Sequence, residues 1–196
     1  MSGARIPASM FCRIAAAATL AGGVHGAEPP AAAQSKSTFT LASPDLKDGG
    51  KISETQAFNR SGCSGRNVSP ALSWSHAPEG TESFALLVYD PDAPGGWWHW
   101  LAYNIPGQTT SLPAGAGDPH KNLAPAGTVQ GRNDFGTPGY GGPCPPPGKP
   151  HRYYFRLYAL KVAKLDVPTN ATAAVIGSNV SANSLAKAEL LGLYAR

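Results

Sequence analysis

The sequence predicts a mainly β domain, and three observations carry that reading. Only 14% of its 196 residues are charged, while Gly (23) and Pro (19) are abundant, a composition that favours turns and irregular loops over long surface helices. Short apolar or alternating runs recur along the chain, each bounded by Gly, Pro, Asn or Asp. Helical character is confined to the C-terminal end. The 42% apolar content is enough for the core of one domain, and two full domains would be crowded at this length.

The domain begins near Thr38. Phe39-Thr-Leu41, Ala71-Leu-Ser-Trp74, Phe84-Ala-Leu-Leu-Val-Tyr89 and Trp100-Leu-Ala-Tyr103 read as strands. The clearest strand is Arg152-Tyr-Tyr-Phe-Arg-Leu-Tyr158, which places Tyr153, Phe155 and Leu157 on one face and Arg152, Tyr154, Arg156 and Tyr158 on the other. Thr169-Asn-Ala-Thr-Ala-Ala-Val-Ile176 and Ser181-Ala-Asn-Ser-Leu-Ala-Lys-Ala-Glu-Leu-Leu191 read as helices, with Asn170 and Ser181 as caps. Leu191-Gly-Leu-Tyr194 reads as a short closing strand. Residues 47–70 and 107–150 carry little periodicity, and segments of that length inside a compact domain are functional or pinned by other devices.

Residues 1–26 read differently from the rest. Arg5 and Arg13 precede a short apolar stretch that ends among small residues near Val24-His-Gly-Ala27, the pattern of a secretory signal peptide. A frayed, non-targeting N-terminus is the alternative. No segment approaches the roughly 20 apolar residues of a membrane-spanning helix. Residues 27–37 are small, polar and Pro-containing, as in a flexible linker, and 38–196 form the folded domain. The expected location is therefore periplasmic or secreted.

The net charge of +4 falls to +2 once Arg5 and Arg13 are set aside, leaving 14 basic and 12 acidic residues. The basic residues are scattered singly, which argues against a nucleic-acid partner. Cys12 would leave with the signal peptide, so Cys63 and Cys144 remain as an even pair in an oxidising compartment and are expected to form a disulfide. Two free buried thiols are the competing reading. Neither lies in a C-x-x-C pair with His at metal-binding spacing.

Two constellations carry polar groups at strand ends. Tyr89-Asp-Pro-Asp-Ala-Pro94 follows one strand, with Trp97-Trp-His-Trp100 opening the next, and Pro145-Pro-Pro-Gly-Lys-Pro-His-Arg-Tyr153 enters a third. If those ends meet in space, Asp90, His99, His151 and Tyr153 converge beside aromatic walls from Trp97 and Trp98. Each residue also has an ordinary explanation. Asp-Pro-Asp makes turns, a lone His is usually structural, Trp is usually core, and Arg152 suits a buried ion pair with Asp90 or Asp92.

Asp90-Pro-Asp-Ala-Pro94, the His99 that follows, and Gly148-Lys-Pro-His-Arg-Tyr153 resemble the two signature segments of the phosphatidylethanolamine-binding protein family. Asn67-Val-Ser-Pro-Ala-Leu-Ser-Trp74 is similar to its bacterial and archaeal Raf-kinase-inhibitor-like branch. The resemblance runs from about Phe39 to Tyr194. It implies an antiparallel β-sandwich with a few short peripheral and C-terminal helices and an anion pocket at one end of the sheet. By position, Asp90, His99, His151 and Tyr153 match the pocket's polar residues, Trp97, Pro145 and Pro146 its rim, and Ala93-Pro94 a cis peptide. Pro143-Cys-Pro-Pro-Pro147 is denser in proline than the family pattern, which removes backbone donors from that edge.

The function expected is non-enzymatic binding of a phosphate-like anion, such as a phospholipid head group, without a cofactor or bound metal; the resemblance also allows inhibition of a protease or kinase. A phosphate needs donors, from an imidazole of His99 or His151, the Tyr153 hydroxyl or backbone N–H groups. Asp90 fits that task by orienting and protonating a neighbouring His, or by being itself protonated when the ligand is bound, so binding is expected to strengthen as pH falls through the His range. The competing reading is a metal-assisted hydrolase holding zinc or iron on Asp90, His99 and His151. Against it, the sequence has no G-x-S-x-G elbow and no H-E-x-x-H pair.

Overall fold

A computed structural model describes residues 38–168 and 170–196; the signal-peptide and linker expectations fall outside them. The strands are β1 (Thr40–Ala42), β2 (Gly50–Lys51), β3 (Leu72–Ser75), β4 (Ser83–Asp90), β5 (Trp97–Pro106), β6 (Ser111–Leu112), β7 (Val129–Gln130), β8 (His151–Leu160) and β9 (Ser184–Tyr194), with a single described helix, α1 (Ala173–Asn183). They form a three-stranded sheet, β1-β3-β6, and a six-stranded sheet, β2-β9-β8-β4-β5-β7. Every pairing is antiparallel except β2 with β9.

The centre of the larger sheet, β4 and most of β5, is buried on both faces, which explains why the apolar run Phe84–Val88 does not alternate. Phe84, Leu86, Val88, Phe155 and Leu157 pack with Leu41, Leu72 and Trp74 of the smaller sheet. Ala85, Leu87, Leu101, Tyr103 and Leu160 pack with Ile176 and Val180 of α1. The two layers make the sandwich, and α1 covers its back. The alternation read in Arg152–Tyr158 holds, with Tyr153, Phe155 and Leu157 buried.

The C-terminal end departs from expectation. The helix starts later, capped by Thr172, whose hydroxyl accepts from Val175 N at 3.3 Å, so Asn170 is not the cap and Ser181 lies inside the helix. The second expected helix does not form: most of residues 181–191 belongs to β9, which pairs with β8 from Ser184 to Tyr194. Ala, Lys, Glu and Leu favour helix locally, but their burial has period two, with Ala188, Leu190, Gly192 and Tyr194 inward. Ten paired residues on one side and β2 on the other outweigh the local preference. No described helix is long and apolar enough to cross a membrane.

The two long segments are pinned as well as irregular. Cys63 and Cys144 form the expected disulfide across 81 residues of chain. Phe58 N donates to Pro143 O at 3.0 Å, the Tyr140 hydroxyl donates to Gln56 O at 3.0 Å, and Phe58 stacks on Phe135 at 4.1 Å.

Candidate functional site

The antiparallel register brings three strand ends together. β4 finishes at Asp90 opposite Trp97, the first residue of β5, and Tyr89 faces Tyr154 near the start of β8. The C-terminal end of β4 and the N-terminal ends of β5 and β8 thus lie at one edge of the sheet. The turn that joins β4 to β5 needs glycine at its close: Gly96 has φ +75°, and a Cβ there would fall 1.6 Å from the Tyr89 hydroxyl.

A cavity of about 400 Å³ opens at that edge. Asp90, Trp97, His99, Pro145, Pro146, His151 and Tyr153, all seven residues expected for the ligand, line it, as does Pro94. Trp98 does not. It follows Trp97 on the strand, so it points to the other face and packs against Tyr89 and the cluster under α1. Asp92 and Arg152 also stand outside, joined by a two-pronged ion pair at 2.7 and 3.0 Å. Burial was the wrong part of that expectation: the Arg152 side chain is 50% exposed, because Arg152 lies on the outward face of β8. The guanidinium lowers the Asp92 carboxyl to about 2.

Asp90 is almost fully enclosed and every contact it makes is an acceptance. Its Oδ1 takes the N–H groups of Asp92 at 2.8 Å and Ala93 at 3.2 Å, and its Oδ2 takes Nδ1–H of His151 at 2.8 Å. The carboxylate therefore shapes the turn and orients an imidazole at once.

His99 is buried, and its Nδ1 lies 2.6 Å from Gly141 O. A carbonyl only accepts, so Nδ1 carries the proton. Burial lowers this imidazole to about 4, outweighing the opposing pull of the Gly141 carbonyl and of Asp90. The N–H that His99 was expected to offer a ligand is thus already committed. Gly141 is itself fixed by its N–H to His99 O at 2.8 Å, and a Cβ there would fall 2.4 Å from the Phe135 ring.

Tyr153 closes the cavity floor. Its ring meets His99 edge to face at 5.1 Å, and burial, with the charge and the nearby acceptor oxygens of the Asp90 carboxylate adding to it, raises its hydroxyl well above the ordinary phenol range. Four buried side-chain polar atoms lack a hydrogen-bond partner among the described residues; two of these, Trp97 Nε1 and Tyr153 Oη, belong to residues of this cavity.

Sequence reasoning missed Ser61, Asp134 and Phe135, which complete the walls. Asp134 Oδ2 accepts from Trp98 N at 2.7 Å, which pins its loop to β5. Asn67 was noted only within a resembling segment; its side chain accepts from Gly142 N at 2.7 Å and donates to Tyr140 O at 3.3 Å, clamping the strip that holds His99. No local pattern marks these contacts. As for the hydrolase reading, no group of three His, Cys, Asp or Glu among the described residues is arranged to hold a metal ion, and Asp90 and His99 are engaged as above.

The sandwich and the cavity at its strand ends define a binding-protein fold, and comparison with known proteins identifies which. The sequence pattern of the phosphatidylethanolamine-binding protein family matches residues 42–195, and the chain belongs to that family. It is 48% identical over 159 residues to the UPF0098 protein YbcL of Escherichia coli K12, covering 80% of this chain and 87% of that one. It is 44% identical over 156 residues to YbhB of the same organism, covering 79% and 98%. The crystal structure of E. coli YbcL, described as a new member of the mammalian PEBP family, superposes with a TM-score of 0.79 over 81% of this chain and 98% of that one. A Chlamydia trachomatis homologue, CT736, superposes with a TM-score of 0.67 at 34% identity, covering 81% and 97%.

Proposed function

We propose that the chain is a non-enzymatic binding protein, secreted or periplasmic, that takes a small phosphate-like acidic group into the cavity at the ends of β4, β5 and β8. The observation that carries this reading is the Tyr153 hydroxyl, buried in a cavity wall beside the Asp90 carboxylate with no partner within hydrogen-bond distance among the described residues. A buried hydroxyl left unpaired costs about 1–3 kcal/mol, and a ligand oxygen would remove that cost. The apolar walls of Trp97, Phe135 and Pro145 suit a small group held by few polar contacts. Family membership supports a binding role, and the Cys63–Cys144 bridge suits an oxidising compartment.

Calorimetric titration with inorganic phosphate and with phosphoethanolamine tests the proposal. Saturable binding is expected, weakened about tenfold or more in Tyr153→Phe, which keeps the ring packed on His99 and removes only the hydroxyl. Equal affinity in wild type and Tyr153→Phe, or no binding of either probe to the wild type, would overturn it.

A further inference from the structure

The cavity carries the wrong charges for a fully ionised acid. Asp90 of β4 and Asp134 of the loop after β7 both line it, and no Lys or Arg does among the described residues. The remaining titratable walls are His99 of β5 and His151 and Tyr153 of β8. A dianion placed among them would face the enclosed Asp90 carboxylate in surroundings less polarisable than water, where like charges repel more strongly, while the exposed Asp134 at the rim adds a weaker, solvent-screened repulsion.

The hydrogen-bonding groups point the same way. With the His99 proton fixed on Nδ1 by the Gly141 carbonyl, Nε2 of the neutral ring is an acceptor, and it has no partner among the described residues. Burial keeps the ring neutral across the ordinary range of pH. Tyr153, whose ring lies against that of His99, offers an unpartnered hydroxyl. An acid that brings only lone pairs satisfies Tyr153 but meets His99 lone pair to lone pair. An acid that brings a proton satisfies both.

We infer that the cavity takes its acidic ligand with a proton still attached, the ligand's O–H donating to Nε2 of His99 while another of its oxygens accepts from the Tyr153 hydroxyl. This deepens the proposed function and rests on it. The ligand class that fits is free phosphate, which keeps an O–H even as the dianion, or a phosphate monoester below its second ionisation at about pH 6. Sulfate and phosphodiesters, including the diester of an intact phospholipid, bring none.

Four probes separate the cases: inorganic phosphate, methyl phosphate, sulfate and dimethyl phosphate, titrated into the full-length protein at pH 6 by calorimetry or NMR. Phosphate and methyl phosphate are expected to bind about tenfold or more tightly than sulfate and dimethyl phosphate, the size of effect produced when a buried acceptor is left facing an acceptor. Methyl phosphate is further expected to weaken about tenfold per pH unit above its second ionisation, whereas inorganic phosphate, which keeps one O–H as the dianion, weakens less. Sulfate or dimethyl phosphate binding as tightly as phosphate overturns this inference and leaves the proposed function standing. Failure of all four to bind overturns the proposed function itself.

Discussion

At the scale of single residues, His99 links the site to stability. Its folded-state value is lowered from 6.5 to about 4 by burial, so the unfolded chain takes up a proton first as pH falls. The contribution is fully present above pH 6.5 and is lost between pH 6.5 and 4, an effect on the order of 3 kcal/mol. Urea unfolding from pH 7.5 to 4 checks this: the midpoint is expected to fall across that window in wild type and to lose this step in His99→Gln. A flat wild-type profile would contradict it. The sequence made His99 legible as a cavity residue, because its distance from Asp-Pro-Asp and the apolar residues around it put it at a strand entrance. Which nitrogen carries the proton was not legible, since that depends on Gly141, 42 residues away.

At the scale of elements, most strands were legible because alternation and turn residues are local signals. β9 was legible only at its end, Leu191–Tyr194, because the helix-favouring residues before it conceal a period of two that pairing with β8 enforces. Gly192 is the residue that betrays the strand: a Cβ there would fall 2.6 Å from the side chain of fully buried Ile52. Gly in a strand interior marks such close approach. Gly192→Ala is therefore expected to destabilise the fold by about 1–3 kcal/mol, measured by chemical denaturation, whereas a helical segment would gain from the same change. Unchanged or raised stability would count against the packing described.

At the scale of the whole molecule, the site exists because antiparallel register delivers three strand ends to one edge and two long loops close over them. The strand ends were foreseeable from sequence; the loop contacts of Asn67, Asp134 and Phe135 were not, because partners far apart in the chain leave no local pattern. Cys63–Cys144 ties the loops together, and Cys144, Pro145 and Pro146 form part of the cavity wall. The double variant Cys63→Ser, Cys144→Ser is expected to lose about 2–4 kcal/mol of stability and to bind phosphate more weakly, through a rim no longer held in place. Denaturation together with calorimetry reads both effects, and an unaltered phosphate affinity would show that the rim needs no tether.

The most direct test of the central claim is an NMR map of the protein titrated with inorganic phosphate. The account predicts that the largest shift changes fall on the Trp97 indole N–H, the His99 ring nitrogens and the amides of Ser61 and Tyr153, all around one cavity. Changes centred instead on a separate cavity lined by Asp118, His120 and Thr137, with His99 and Tyr153 unmoved, would contradict it.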